Sequence, residues 1–446
     1  MSDATATDSD SSSAHPQATA QSAVPSRIRP ILLQLYRAGI LLAICWQVRE
    51  HHVHLRIEGD APMELAEAQR FLTNAASLKA DHSPLAGLRV FDKDGVEIGY
   101  AVRTMPAASH IIGYAGTTDT LVVLGADGGV LGMNIRSSED TRSHAEDVML
   151  DWSFKKIWNG KVWAEVAEMD VKREGIEGVS GATMTSMAVA HGIVHRFALS
   201  QGRMAIQPVR WDMTDIGLAG AVLMGIWLTF SRQAGRGRAR RWFQIFVLGY
   251  IGLVTGDLIA QSLLAGWARS AIAWRMAPGL ALLFFASFLV PWVSRRPLYC
   301  QQLCPHGVAQ EWILRVVPNR WHIGLPDGVH RGLLRLPALL LGLVVLVILL
   351  PVDFDLAGIE PFDAYVIGSA GVATAVVAVV GLIASVFVPK AYCRYGCPTG
   401  ALLEFVRSHG AQDHIGTRDW MAGLILALVV AIKSNYPLVQ YWIYGF

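Results

Sequence analysis

Residues 286–307 read ASFLVPWVSRRPLYCQQLCPHG, and residues 384–400 read ASVFVPKAYCRYGCPTG. Both give an apolar Ala-Ser run ending in Val-Pro, a basic edge, and then Tyr-Cys-x-x-x-Cys-Pro-x-Gly. The first copy carries five extra residues between the apolar run and its first cysteine. Past each glycine the likeness continues, with Glu311-Trp312 and Glu404-Phe405 at matching offsets. The repeated unit reads as a transmembrane helix, a cysteine loop and an amphipathic helix. Two such units predict a pseudo-symmetric pair that gathers Cys300, Cys304, Cys393 and Cys397 at one membrane face.

Four converging thiolates in a reducing compartment favour a metal site over disulfides. Zinc accepts four cysteines, but structural zinc sites more often use closely spaced knuckles in soluble ribbons. Iron–sulfur clusters also take four thiolates, and Cys-x-x-x-Cys-Pro closes the cysteine runs of bacterial ferredoxins. The reading is therefore an iron–sulfur cluster of the 4Fe-4S type, with zinc or two chance pairs of membrane-edge cysteines as the alternatives; the repeat speaks against chance. Proline stiffens the loop and removes a donor, and glycine is expected to supply the turn. Cys45, in the first apolar stretch, reads as a small buried hydrophobe.

The composition agrees with a membrane protein. The chain has 446 residues, of which 52% are hydrophobic and 17% charged, and its mean hydropathy is +0.36. A net charge of +2, with no basic tract interleaved with aromatics, speaks against a nucleic-acid partner. Residues 1–29 form a polar tail, with no Lys or Arg before Arg27, that is expected to be disordered in the cytoplasm. Residues 30–48 read as an uncleaved signal anchor. Arg37 within it must snorkel or face other helices.

Further apolar runs fall at about 214–231, 242–264, 276–294, 336–352, 368–389 and 420–436, each near the length that crosses ~30 Å of hydrocarbon. The loop at 232–241 and the segments that open at Arg295 and Lys390 are basic, whereas PVDFDLAGIEPFD (351–363) has four acids and no Lys or Arg. With basic loops inside, the cysteine loops face the cytoplasm and the polar block 49–210 lies outside. Within that block, LRVFDKDGVEIGYAVR (88–103) and TLVVLGADGGVLGMNIR (120–136) alternate apolar residues around Asp-Gly and Gly-Gly turns, which is hairpin patterning. Helical patterns flank them at 62–78 and 186–199. Residues 49–210 thus read as one α+β domain, and 211–446 as a six-helix membrane domain.

The second chemical signature is GVSGATMTS, residues 178–186. Small residues opening a helix let backbone amides approach a phosphate, although Ser/Thr-rich helix caps are common for purely structural reasons. Ser180-Gly181-Ala182-Thr183-Met184-Thr185 is similar to the flavinylation motif of FMN-binding domains in respiratory flavoproteins, including Rnf and sodium-pumping quinone reductase subunits. That resemblance implies that a separate flavin transferase links FMN through its phosphate to Thr185. Ser180, Gly181, Ala182 and Thr183 would line the cofactor. Glu177 stands where the family pattern has an Asp. The text from Gly113-Tyr114-Ala115-Gly116 onward resembles the core of the same domain.

An outer FMN domain, membrane helices and paired Cys-x-x-x-Cys-Pro loops together resemble the NosR/NirI family of membrane flavo-iron–sulfur proteins. The membrane part is also similar to NapH-type proteins. The cytoplasmic ferredoxin-like domain of full-length NosR-like proteins has no counterpart in this sequence. The fold class expected is an α-helical polytopic membrane protein of about seven transmembrane helices with an extracytoplasmic α+β FMN-binding domain, in the bacterial inner membrane. The resemblance implies electron transfer from a cytoplasmic ferredoxin-like donor or quinol, through the cluster, to covalent FMN. From there electrons would reach a periplasmic reductase or electron carrier, a nitrous oxide reductase-type system being one case. A redox-sensing regulator and a maturation factor for a periplasmic metalloenzyme are the alternatives. A cluster at the inner face and a flavin outside would stand ~30 Å apart. A deeper cluster, an inward swing of the domain or a bridging partner would each close that gap.

Two polar features remain. Asp257, in an apolar run, is costly to bury and is either functional or the partner of Arg37. His51, His52 and His54 cluster after the first helix, as interfacial residues or as a metal site.

Overall fold

The two sequences with alternating apolar residues fold as the hairpins their turns predict. The structure is a computed structural model that describes residues 28–58, 62–83, 86–202, 209, 211–231, 237–350, 354–366 and 371–444. Five strands, β1 (Ser77–Ala80), β2 (Leu88–Phe91), β3 (Glu97–Arg103), β4 (Thr118–Gly125) and β5 (Val130–Ser138), pair antiparallel in the order β1-β2-β3-β4-β5. Between β2 and β3, Asp92 Oδ1 accepts from the Asp94 and Val96 amides at 2.9 and 2.8 Å. Gly95 there takes a φ of +77°, a conformation that favours glycine.

Both faces of the sheet are covered, so successive strand residues enter different cores. Val102, Val122 and Leu124 pack with Val189, Ile193 and Phe197 of the helix Thr183–Ser200. Ala101, Leu121 and Val123 face the other way, onto Met63, Ala68 and Ala75. Burying each large apolar side chain contributes about 1.5–3 kcal/mol, which fixes the helix on the sheet. The helix expected over 62–78 is confined to Leu65–Gln69, because Ser77–Ala80 pairs with Leu88–Phe91 as a strand.

Seven continuous spans are not seen in the helical part among the described residues. Among the described residues three helices are long and apolar enough to cross a membrane, Pro30–His54, Met213–Phe230 and Asp327–Leu349, and Pro278–Ser294 and Val372–Phe387 are shorter apolar helices. The run 242–264 is broken. A helix from Arg238 to Phe246 continues as π-helix from Val247 to Thr255, stops at Gly256 with φ +67°, and resumes as the short helix Gln261–Arg269. The final run falls mostly on Thr417–Ser434, whose ends carry Arg418, Asp419 and Lys433, and its last residue, Tyr436, opens a separate helix.

The first helix runs unbroken from Ile28 to Glu58, past the expected anchor boundary at residue 48. Its histidines close off a neighbouring helix: His51 Nε2 and His52 Nε2 meet the Leu349 and Ile348 carbonyls at 3.1 and 2.7 Å. Those carbonyls lie at the helix C-terminal end, where intrahelical partners run out. Among the described residues no group of three or more His, Cys, Asp or Glu is placed to hold a metal ion, these histidines included. Arg37 faces inward and pairs with Asp413 and Asp419 at 2.9 and 2.7 Å, rather than with Asp257. Cys45 is exposed on its helix rather than buried.

Candidate functional site

The two cysteine phrases build the same local structure. Cys304 and Cys397 are the N-caps of the helices Pro305–Val316 and Pro398–Val406, and each has Pro at the first helical position. Proline suits that position because its missing N–H would have no helical partner there anyway. Each cap sulfur accepts from the glycine three residues on, Gly307 N at 3.4 Å and Gly400 N at 3.1 Å. Neither glycine takes a positive φ, so their role is close approach rather than the turn expected from sequence. A Cβ on Gly307 would lie 2.8 Å from the Cys300 carbonyl oxygen.

Cys300 sits in the π-turn Tyr299–Leu303 and Cys393 in the short helix Ala391–Tyr395. The structure brings the two phrases together, with Cys304 and Cys397 in one apolar core and Cys300 packed against it. Gln310 Nε2 donates to Cys393 Sγ at 3.1 Å, and its Oε1 accepts from Ser385 Oγ at 2.9 Å. The acids at matching offsets make ion pairs: Glu311 with Arg240, Arg315 and Lys390, and Glu404 with Arg407.

These residues fit an iron–sulfur cluster. The thiols are buried or half-buried, and three of them have N–H donors already aimed at sulfur, an arrangement that tunes thiolate-bound clusters.

The cysteine loops pack against the broken helix and a buried acid. Gly252, three residues before the π-helix ends at Thr255, faces Pro305 at 3.4 Å from where its Cβ would be. Tyr299 Oη accepts from Ile259 N at 3.0 Å, in the extended segment that follows the helix break. Glu360, counted among the acids of an outer loop, is 1% exposed. It accepts from Gln261 N at 2.5 Å and from Thr399 Oγ1 at 3.0 Å. The irregular backbone of this break thus packs beside both cysteine phrases.

The second site is built on the start of the helix Thr183–Ser200. Gly181, at φ +82°, turns the chain into Ala182. Ser186 Oγ then accepts from Val179 N and donates to the Ala182 carbonyl, both at 2.9 Å, folding the Ser-Gly-Ala-Thr run onto the helix end. Ser180 and Thr183 are exposed, whereas Thr185 is fully buried. Thr185 Oγ1 donates to Asp140 Oδ2 at 2.6 Å. The same carboxylate accepts from the Tyr114, Ala115 and Thr141 amides at 3.0, 2.7 and 3.0 Å. Burial pushes the Asp140 carboxyl above its usual range, opposed in part by His144 and by these hydrogen bonds.

Residues 113–195 match the family of FMN-binding domains, and residues 276–324 and 370–413 match the family of 4Fe-4S binding domains. The chain thus carries a flavin-binding domain and an iron–sulfur domain, the pairing of an electron-transfer protein. No curated protein and no solved structure matches it significantly. Each copy of the cysteine repeat falls within one of the two iron–sulfur segments, and Thr185 and Asp140 fall within the flavin segment.

Several residues at these sites were silent in the sequence. Gln261, Gln310 and Glu360 belong to no motif, and Asp140 lies in the stretch from Gly113 that resembles the flavin-domain core without being singled out there. Thr399 and His306 occupy the variable position of Cys-Pro-x-Gly, where the repeat itself points. His306 Nδ1 meets Tyr365 Oη at 3.0 Å beside Cys304.

Proposed function

We propose that this chain moves electrons across the bacterial inner membrane, between a 4Fe-4S cluster held by Cys300, Cys304, Cys393 and Cys397 and FMN attached at Thr185. The flavin takes one or two electrons and the cluster one at a time, so the pair can match a single-electron source to either kind of acceptor. In this reading the cysteine side faces the cytoplasm and receives electrons from a ferredoxin-like donor or quinol. The flavin domain faces the periplasm and supplies a reductase or carrier there, in the manner of NosR-like proteins. A flavin transferase attaches the cofactor.

The observation that carries the reading is the contact between the two halves. Tyr114 and Ala115 of the flavin domain belong to the same apolar core as Cys304 and Cys397, and Met184 of the Ser-Gly-Ala-Thr-Met-Thr run packs against it. A regulator or an assembly factor needs no such continuity between its two cofactor sites.

The chain's own residues have separate tasks. Ser180, Gly181 and Thr183 offer an open helix start to the flavin phosphate, and the amides there favour its charge. Asp140 holds the Thr185 hydroxyl in place. Gly307, Gly400 and Gln310 hold donors against the sulfurs.

The test is Thr185→Val together with Cys300→Ser in full-length protein purified anaerobically. Thr185→Val should lose in-gel flavin fluorescence and keep iron and sulfide. Cys300→Ser should lose the reduced-cluster EPR signal and keep the flavin. Both variants should fail to pass electrons to an outer acceptor. Delivery at the parental rate by correctly inserted Thr185→Val would overturn the assignment.

A further inference from the structure

The short helix Gln261–Arg269 touches both cofactor sites and is anchored at three places. At its start, Gln261 Nε2 donates to Thr399 Oγ1 at 2.9 Å, two residues after Cys397. Ile259, just ahead, donates to Tyr299, the residue before Cys300. Both cysteine repeats therefore hold the same end. At its middle, Gly266 lies so close to the flavin domain that a Cβ there would overlap the Ala115 carbonyl. The Ala115 amide is bound to Asp140, which holds Thr185. Past its end, Ser270 Oγ donates to Glu139 Oε2 at 3.3 Å.

Resting on the electron-transfer reading above, we propose that the flavin domain stays docked on this helix throughout turnover, with Gly266 as the positioning residue. Nine residues of helix span only about 14 Å, and the contact with Ala115 is made at its sixth residue, Gly266. The separation between cofactor sites is then well under the ~30 Å of the hydrocarbon layer. A buried cysteine site and a docked flavin domain together close the gap, with neither a swing of the domain nor a bridging partner.

Three-point attachment suits a fixed seam. A domain that swings would need a contact that opens cheaply. Here the seam includes an apolar core continuous across it and a backbone-to-backbone approach that only glycine permits.

The experiment uses full-length protein in oriented proteoliposomes, with dithionite on the cysteine side and bleaching of flavin absorbance as the readout. Gly266→Val should keep flavin fluorescence, iron and sulfide. It should lose hydrogen-exchange protection at Gly113–Thr117, and bleaching should slow about tenfold or more. In a second variant, Glu139→Cys/Ser270→Cys on a Cys45→Ser background, a short bismaleimide ties the domain to the helix. The tied protein should bleach at the untied rate. Parental bleaching in Gly266→Val, or bleaching lost on tying with both cofactors retained, overturns the docked seam alone. No bleaching in the parent protein overturns the electron-transfer reading and this inference with it.

Discussion

Thr185 Oγ1 gives its only proton to the Asp140 carboxylate, at 2.6 Å and out of contact with solvent. A phosphoester at that oxygen would remove the proton and bring a second anion beside the carboxylate. Asp140 must then turn away or carry a proton itself. Burial already favours its neutral form, so the site is built to tolerate the change. The Tyr114 and Ala115 amides that Asp140 now occupies would be released to face the phosphate.

The raised Asp140 pKa predicts a pH dependence of stability. Folding binds this proton more tightly than the unfolded chain does. The stabilisation is therefore complete below the ordinary value of 3.8 and is lost as pH rises through the raised folded value. Asp140→Asn should flatten the fall in thermal midpoint that the parent shows above about pH 4. Midpoints of the unflavinylated protein across that range check this. Identical slopes in the two proteins would mean the carboxylate is not the group responsible.

The two cap glycines should differ in their tolerance. A Cβ on Gly307 would meet a backbone oxygen, that of Cys300, at 2.8 Å, whereas on Gly400 the nearest atom is Cys397 Sγ at 3.4 Å. Gly307→Ala is expected to lose most of its iron and Gly400→Ala to keep it. Iron and acid-labile sulfide per chain measure the difference. Equal loss in both would show that the repeat is constrained symmetrically.

The legible part of this architecture was what repeats or alternates. The cysteine phrases, the two hairpins and the Ser-Gly-Ala-Thr-Met-Thr run each carry local chemistry, and local chemistry survives without knowledge of the fold. The break at Gly256 was hidden because 242–264 is apolar on average, despite Thr255 and Asp257 beside that glycine, and hydropathy sees composition rather than backbone path. Glu360 and Asp363 counted as outer-loop charges, yet both are buried, since a loop that folds back into the body leaves no mark in its composition. Arg37 was legible as a problem but not in its solution, because its partners lie 376 and 382 positions away.

Gln310 should tune the cluster without being needed to hold it. Its amide donates to Cys393 Sγ at 3.1 Å while Ser385 fixes its other end. Gln310→Leu removes a donor that stabilises charge on sulfur, so the reduction potential should fall by about 40 mV, the one-electron equivalent of ~1 kcal/mol. Iron content should not change. Redox titration followed by EPR gives the potential, and an unchanged value would show that this bond is not made in the loaded protein.

The Arg37 cluster should govern assembly of the helical body. Arg37 reaches Asp413 through two nitrogens at 2.9 and 3.0 Å and Asp419 at 2.7 Å, with Arg418 on Asp413 at 2.8 Å. Arg37 and Asp419 are 0% exposed. Removing one partner of such a buried set leaves a charge without compensation, at a cost of about 3–5 kcal/mol. Arg37→Met should sharply reduce yield and thermal midpoint, and Arg37→Lys should not restore them, because a point charge cannot satisfy two carboxylates through a planar fork. Adding Asp419→Asn to Arg37→Met should recover part of the loss. A midpoint in detergent that stays at the parental value in Arg37→Met would show that these ions contribute nothing to joining the first helix to Thr417–Ser434.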